Sequence, residues 1–536
     1  MQKLLLLGDE AIAQAAIDAG ISGIYAYPGT PSTEITEYVQ HSKEAKEKKI
    51  KSTWSANEKT ASEAALGMSY AGKRAMVCMK HVGLNVAADS FVNTAITGVN
   101  GGIIYVVADD PSMHSSQNEQ DSRFFGKFAL IPILEPSNQQ EAYDMVHYGF
   151  EISEKYRTPV LMRITTRLAH SRSGVVRKQS KAQNEYRIPE DLRQFVLLPA
   201  IARKRYKLLL DNQIKFEKES EENFNQYFDE KDKSLGIIAC GIGYNYLMEN
   251  YPDRNIPYPV LKLNQYPLPR IYVEKIVNEC KEILVLEDGY PMVEELIKGY
   301  LSKGLKIRGR LDGSIPRDGE LNPNIVAQSL GLTVKIGKNI PDLVAARPPS
   351  LCNGCPHIDS YTALTEALEP YGKGRVFADI GCYTLGALKP YEAINSCVDM
   401  GASITMAKGA ADAGMFPAVA VIGDSTFTHS GMTGLLDAVN DKSNITVVIL
   451  DNSTTGMTGG QDSSALGKIE FICRGLGVEE AHIRILKPIR NKHEENLQIF
   501  KDELAYNGVS VIIPRRECIV TLNKKMRVKF AQKDKK

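Results

Sequence analysis

Residues 418–461, AVAVIGDSTFTHSGMTGLLDAVNDKSNITVVILDNSTTGMTGGQ, constrain the fold more than any other stretch of the chain. An apolar run, 418–422, ends in Gly423-Asp424-Ser425. A helical segment follows at roughly 429–441, with Leu435, Leu436 and Val439 at helical spacing. A β-branched run, 445–450, then ends in Asp451-Asn452. Strand, helix and strand of these lengths make a βαβ unit, so the two strands are expected to be parallel and adjacent. Their C-terminal ends then lie side by side, where open parallel sheets bind ligands.

Asp424 and Asn452 stand at those two ends and offer hard oxygens of the kind Mg²⁺ prefers. Gly423 permits close backbone approach, and Ser425 near a helix N-terminus suits an anion. The unit reads as a cradle for Mg²⁺ and a diphosphate. The alternative is a strand-end turn with ordinary Asp and Asn caps. The Asn on a second strand weighs toward the cation.

The remaining pattern is α/β throughout. Apolar runs at 24–27, 75–79, 102–108 and 160–164 alternate with helical patterns near 10–19, 33–40, 59–71 and 140–155. That alternation implies a doubly wound domain over residues 1–170. Residues 171–233 are crowded with charge and read as a linker plus a solvated helix over 198–229. Strands are expected again at 235–240, 260–263, 283–287 and 334–336, then at 376–380 and 509–513. Gly241-Ile242-Gly243 is a weak nucleotide signal that a tight strand-to-helix turn explains. The tail from Lys524 is basic and is expected to fray.

At 536 residues the chain predicts about three domains. It carries 65 basic and 64 acidic residues, so neither a nucleic-acid nor a membrane-surface partner is implied. No apolar run reaches the ~18 residues of a membrane span, and the N-terminal run is too short for a signal peptide. A cytoplasmic location is expected. An odd count of nine cysteines argues against a disulfide framework.

The Gly-Asp-Ser pair with Asn at the end of the next strand resembles the thiamine diphosphate motif. Asp-Asn-Ser-Thr-Thr-Gly-Met-Thr-Gly-Gly-Gln, 451–461, narrows the likeness to the 2-oxoacid:ferredoxin oxidoreductases, indolepyruvate-type large subunits above all. The resemblance implies three doubly wound α/β domains. They are a pyrimidine-binding domain over 1–170, a transketolase C-terminal-like domain over 234–338, and a diphosphate-binding domain over 345–536. The transketolase-like domain rests on Pro267-Leu268-Pro269 and Leu286-Glu287-Asp288-Gly289-Tyr290-Pro291, and is expected to be mainly structural.

The same resemblance assigns residues. Asp424, Asn452 and the Thr454 carbonyl would hold Mg²⁺, and Gly381, Gly401, Ser403, Gly423, Ser425 and Met457 would meet the cofactor. Asn57-Glu58 before a helix bearing Ala61, Ala64, Ala65, Gly67 and Ala71 resembles the pyrimidine site. Glu58 would share a proton with N1′ of the aminopyrimidine, favouring the imino tautomer that activates the thiazolium. By itself, a Glu at a helix start needs only the helix dipole to explain it. The loop Tyr27-Pro28-Gly29-Thr30-Pro31-Ser32 reads as a stiff turn and a cap; the family makes Thr30 a contact to the oxoacid carboxylate. In the loop 109–127, Gln117, Asn118, Glu119, Asp121 and Ser122 are typical of the active-site side, and His114 is an acid/base candidate or a solvated side chain.

Cys352-x-x-Cys355, Cys382 and Cys518 form a second constellation. The readings open to it are a structural zinc site, a redox disulfide at Cys352 and Cys355, unliganded thiols, or an iron–sulfur cluster. The family places a [4Fe–4S] cluster on cysteines in this order. The other five cysteines are expected in the core. The indolepyruvate-type chains usually end in a ferredoxin-like domain that this sequence does not show, so an external carrier or a cluster-bearing subunit is expected to take the electrons.

The implied reaction is oxidative decarboxylation of an aryl 2-oxoacid to its acyl-coenzyme A, with electrons passed to ferredoxin. The implied partners are a small second (beta) subunit and a second copy in a homodimeric core. The rival readings are a non-oxidative thiamine diphosphate decarboxylase and a non-catalytic cofactor-binding subunit.

Overall fold

The computed structural model describes residues 3–299, 304, 306–334, 337, 340–345 and 349–533. The strand expected at 334–336 falls mostly outside these residues. The chain divides into two compact units, Met1–Lys338 and Asn339–Lys536. The segments 1–170, 171–233 and 234–338 all fall in the first.

A seven-stranded sheet centres the first unit. Its order is Gln265–Tyr266, Ile133–Leu134, Val160–Thr165, Ile103–Asp109, Ala75–Lys80, Gly23–Ala26 and Lys51–Trp54. Every pairing is parallel except that of Gln265–Tyr266. Ile103–Asp109 and Val160–Thr165 are buried at every residue, as expected of strands covered on both faces. A five-stranded sheet follows in the order Lys306–Arg308, Glu282–Leu286, Gly236–Cys240, Val260–Leu263 and Gln226–Phe228. Lys3–Leu7 pairs antiparallel with Arg172–Val176 in a separate ribbon.

The region expected as one solvated helix over 198–229 is different. It forms two helices, Pro199–Asp211 and Gln213–Glu222, then the edge strand Gln226–Phe228. Leu209 and Phe216 are buried, and Phe216 packs edge-on against Tyr156. Abundant charge on the outer faces hid a two-residue apolar anchor and a strand too short to show alternation.

A buried ion network links the two sheets of this unit. Arg163 binds Asp109 at 2.7 Å and Glu135 at 2.5 Å; Arg123 binds Asp121 at 2.5 Å and Glu287 at 3.1 Å. Tyr266 donates to Glu135 at 2.7 Å. Glu287 belongs to this network, and the Asp288 backbone carbonyl accepts from Arg163 at 2.6 Å.

The second unit is built on six parallel strands in the order Ser396–Cys397, Val376–Ala378, Ala418–Gly423, Ile445–Leu450, Val509–Pro514 and Ile483–Leu486. The expected βαβ unit is present, with Gly423 paired opposite Leu450. Its helix starts earlier than periodicity indicates. A first turn, Asp424–Thr426, runs through a π-helical turn, Phe427–Gly431, into Met432–Asn440. Residues 524–533 of the basic tail lie in a helix, Ile519–Lys533, and 534–536 fall outside the described residues. Four of the five remaining cysteines are buried; Cys397 is exposed, because it ends a two-residue strand at the sheet edge.

Candidate active site

In the second unit, Asp424 follows directly on its strand and is 2% exposed. Its Oδ1 accepts from the Ser425 backbone N–H at 2.9 Å, while Oδ2 has no hydrogen-bond partner among the described residues. Burial and the neighbouring Asp451 push its carboxyl up to about 7. Asp451 itself is held by Arg515 at 2.6 Å, and Arg515 also grips Glu470 at 2.7 Å. A buried carboxylate oxygen with no donor is suited to a cation, and these residues fit Mg²⁺.

Asn452 is oriented from two sides. Its Oδ1 accepts from Thr454 N–H at 3.1 Å, across Ser453 in the left-handed region at φ 64°. Its Nδ2 donates to His357 Nε2 at 3.3 Å. His357 is 2% exposed, burial pushes its ring down to about 4, and so the imidazole is neutral and accepts. Thr455 donates to the Ser425 hydroxyl at 3.0 Å, tying the second strand's loop to the first helical turn. Met457, in the turn Gly456–Thr458, is exposed.

Gly401 and Ser403 are engaged by a residue the sequence did not reveal. Asp379 Oδ2 accepts from Gly401 N–H at 3.2 Å and from the Ser403 hydroxyl at 2.7 Å. Its Oδ1 accepts from the Tyr383 hydroxyl. Asp379 is fully buried and pushed up to about 6 by burial. It occupies the N-terminus of helix Ala402–Asp412, a position that favours an anion. Gly381 opens the turn Cys382–Ala387 and packs against the Tyr383 ring.

The four expected cysteines are neighbours. Burial and the charges of Cys518 and Cys352 push Cys355 up to about 11; Cys382, also burdened by Cys355, rises to about 12. Among the described residues, no three of these thiols lie within 4.8 Å of one another. Tetrahedral zinc, with Zn–S near 2.3 Å, needs sulfurs about 3.8 Å apart. A Cβ on Gly456 would lie 3.0 Å from Cys382 Sγ, so this thiol abuts the loop that follows Asn452.

In the first unit, Glu58 begins helix Glu58–Tyr70 and is 6% exposed. Asn57 caps the helix, accepting from Thr60 N–H at 2.9 Å. Ala61 and Ala65 face the core, whereas Ala64 and Gly67 are exposed. Helix His81–Thr97 makes room for Glu58: a Cβ on Gly83 would lie 2.5 Å from its Oε1. The Thr30 loop meets a cation absent from the sequence reading. Lys80 donates to the Ser115 carbonyl at 2.8 Å, and the Ser115 hydroxyl to the Thr30 carbonyl at 3.5 Å. Burial lowers the Lys80 ammonium from its usual range. Asp121 and Ser122 point into the ion network, where Ser122 N–H donates to Asp109 at 3.0 Å. His114 is exposed and pairs with Glu320 at 3.4 Å.

Comparison with known proteins decides the family. A model described as pyruvate flavodoxin/ferredoxin oxidoreductase, thiamine diphosphate-binding, matches residues 14–230, and one for the C-terminal thiamine pyrophosphate-binding domain matches 379–511. The indolepyruvate oxidoreductase subunit IorA of Archaeoglobus fulgidus is 40% identical over 97% of this chain and 87% of its own length. The IorA subunits of Pyrococcus abyssi and Methanothermobacter thermautotrophicus are each 39% identical, over 96% and 97% of this chain and 86% and 87% of their own. The chain belongs to the indolepyruvate oxidoreductase subunit IorA family. It is an oxidoreductase subunit with thiamine diphosphate-binding domains in both units.

A solved 2-oxoglutarate:ferredoxin oxidoreductase from Magnetococcus marinus shares the fold at TM-score 0.50 and 16% identity, over 61% of this chain and 65% of that one. Glu58 lies within the first family match; Asp424, Asn452 and Thr454 lie within the second. Cys352, Cys355 and Cys518 lie outside both. Among the described residues, no helix is long and apolar enough to cross a membrane.

Proposed function

We propose that the chain oxidatively decarboxylates an aryl 2-oxoacid of the indolepyruvate type to its acyl-coenzyme A, with a second subunit, and passes the electrons to ferredoxin or another external carrier. The observation that carries the reading is Asp424: a buried carboxylate with an unpartnered oxygen, at a strand end beside the strand Ile445–Leu450 that leads to Asn452. Asp424, Asn452 and Thr454 would hold Mg²⁺ and through it the diphosphate of thiamine diphosphate. When bound, that cofactor supplies the electron sink for decarboxylation.

The protein's own groups do the rest. Glu58 would hold the proton shared with the aminopyrimidine, and Gly83 leaves it space to do so. Lys80 and Thr30 would orient the substrate carboxylate, since a half-buried ammonium gains strength from low local dielectric. Cys352, Cys355, Cys382 and Cys518 would bind a [4Fe–4S] cluster, a reading supported by their proximity.

The test is anaerobic purification with the partner subunit, quantifying iron, acid-labile sulfide and thiamine diphosphate. Dye reduction is then measured with a panel of 2-oxoacids plus coenzyme A. Iron, sulfide and reduction with aryl oxoacids are expected. Carbon dioxide release without iron or dye reduction would point to a non-oxidative decarboxylase. Full activity in Glu58→Ala would remove catalysis from this site.

A further inference from the structure

Asp9 is the least explained group in the first unit. It is fully buried, and neither carboxylate oxygen has a hydrogen-bond partner among the described residues. A lone carboxylate in that state is among the costliest arrangements a core can hold. One ligand atom each of Asp9, Glu34 and His170 lies within 4.8 Å of the other two. Glu34 Oε2 is also buried without a partner. Glu34 Oε1 and His170 Nε2 form an ion pair at 3.7 Å, longer than a hydrogen bond.

Three segments converge to make this cluster. Asp9 lies in the first turn of helix Gly8–Asp18, Glu34 in the first turn of helix Thr33–His41, and His170 ends the short helix Thr166–His170. The last two follow the parallel strands Gly23–Ala26 and Val160–Thr165 at their C-terminal ends. A Cβ on Gly8 would lie 2.2 Å from the Leu168 carbonyl oxygen, so the start of the Asp9 helix is pressed against the segment bearing His170. Burial, with the charges of Glu34 and Glu10, holds the Asp9 carboxyl well above the usual range.

We propose that Asp9, Glu34 and His170 bind a divalent first-row transition ion, at a site separate from the residues assigned to thiamine diphosphate. Two carboxylates and an imidazole suit Mn²⁺, Fe²⁺ or Zn²⁺. Ligands about 2.0–2.2 Å from such an ion stand roughly 3 to 3.5 Å apart, close to the Glu34–His170 separation. Asp9 is the buried anchor. Glu34 and His170 are each partly exposed, at 38% and 36% of their side chains, which leaves an entry route and room for water ligands. The ion would clamp the helix that follows the Thr30 loop onto two others.

The test titrates the full chain, chelated and free of thiamine diphosphate, with Mn²⁺, a probe that thiols bind weakly. Binding is read by electron paramagnetic resonance and by thermal unfolding. About one tight Mn²⁺ per chain and a raised Tm are expected. Asp9→Asn and His170→Gln each weaken binding by more than about 100-fold, beyond the cost of losing an outer-shell partner, and lose the Tm gain. Asp424→Asn keeps this ion, which separates it from Mn²⁺ at the cofactor clamp. The proposal is overturned if wild type gains nothing from Mn²⁺ while Asp9→Asn unfolds at a higher temperature throughout; Asp9 is then a protonated core acid. It is also overturned if His170→Gln binds Mn²⁺ like wild type.

Discussion

The backbone N–H of Cys518 donates to the carbonyl oxygen of Asn452 at 3.1 Å. One of the four clustered cysteines is thereby fixed to a residue proposed to hold Mg²⁺, with no side chain between them. Because the link is a backbone one, Cys518→Ala is expected to keep it. The variant should lose iron and dye reduction yet retain thiamine diphosphate. Iron, sulfide and cofactor assays on one preparation check this; unchanged iron would remove Cys518 from the ligand set.

His357 accepts from the Asn452 amide at 3.3 Å and would act as a positioning residue for it. Replacing it with Phe leaves the Asn452 amide without its acceptor. The expected result is Mg²⁺ and thiamine diphosphate binding weakened by about 10- to 100-fold, the usual cost of an outer-shell partner. His357→Gln, which retains an acceptor, should recover part of it. Calorimetric titration of the apo-chain distinguishes this from misfolding, which would also lower Tm.

The βαβ unit around Asp424 was readable because each strand is a continuous apolar run and the intervening helix keeps its period. Asp424 and Asn452 could be singled out because one follows directly on its strand and the other stands two residues past the next. Asp379, Gly83 and Lys80 were not readable. Each acts on a residue more than 20 positions away, Asp379 on Gly401 and Gly83 on Glu58, and nothing in local spacing signals such pairs. The π-helical turn at Phe427–Gly431 was hidden because one extra residue in a turn leaves the apolar period nearly intact. Asp9 stands just before the apolar period of its helix, and nothing in local spacing signals its burial.

Gly83→Ala tests the space around Glu58. A methyl there would stand 2.5 Å from Oε1, so the carboxylate must shift. A displacement of about 1 Å can cost on the order of 100-fold in rate. A large fall in kcat is expected with cofactor retention unchanged, since the residues proposed to grip the diphosphate are others. Equal kcat would mean that Glu58 tolerates movement and does not hold a critical proton.

Lys80 is expected to act on substrate affinity. Lys80→Ala should raise KM for the oxoacid far more than it lowers kcat, and Lys80→Arg should restore much of the loss by keeping the charge. Steady-state kinetics across a series of oxoacids separate this from a role in the Ser115 loop, which would depress kcat for all of them equally.

The buried ion network predicts a pH dependence of stability. Two cations, Arg123 and Arg163, face four acids, Asp109, Asp121, Glu135 and Glu287. The acids exceed the cations, so the network cannot be fully ionised at low cost. Burial pushes Glu287 up to about 7, against the opposing pull of Arg123. Its folded-state proton is held more tightly than in the unfolded chain, where a Glu titrates near 4.3. The stability it contributes is present below that value and is lost as pH rises toward about 7, because the unfolded state then binds fewer protons. Glu287→Gln removes the titration while keeping an acceptor for the Val293 and Glu294 N–H groups. Relative to wild type, the variant should gain on the order of 3 kcal/mol between pH 5 and 8. Denaturant unfolding of both proteins across that range checks it. Parallel stability–pH curves would show that Glu287 is ionised throughout and that the excess proton of the network sits on another acid, with Asp109, also raised by burial, the next to test.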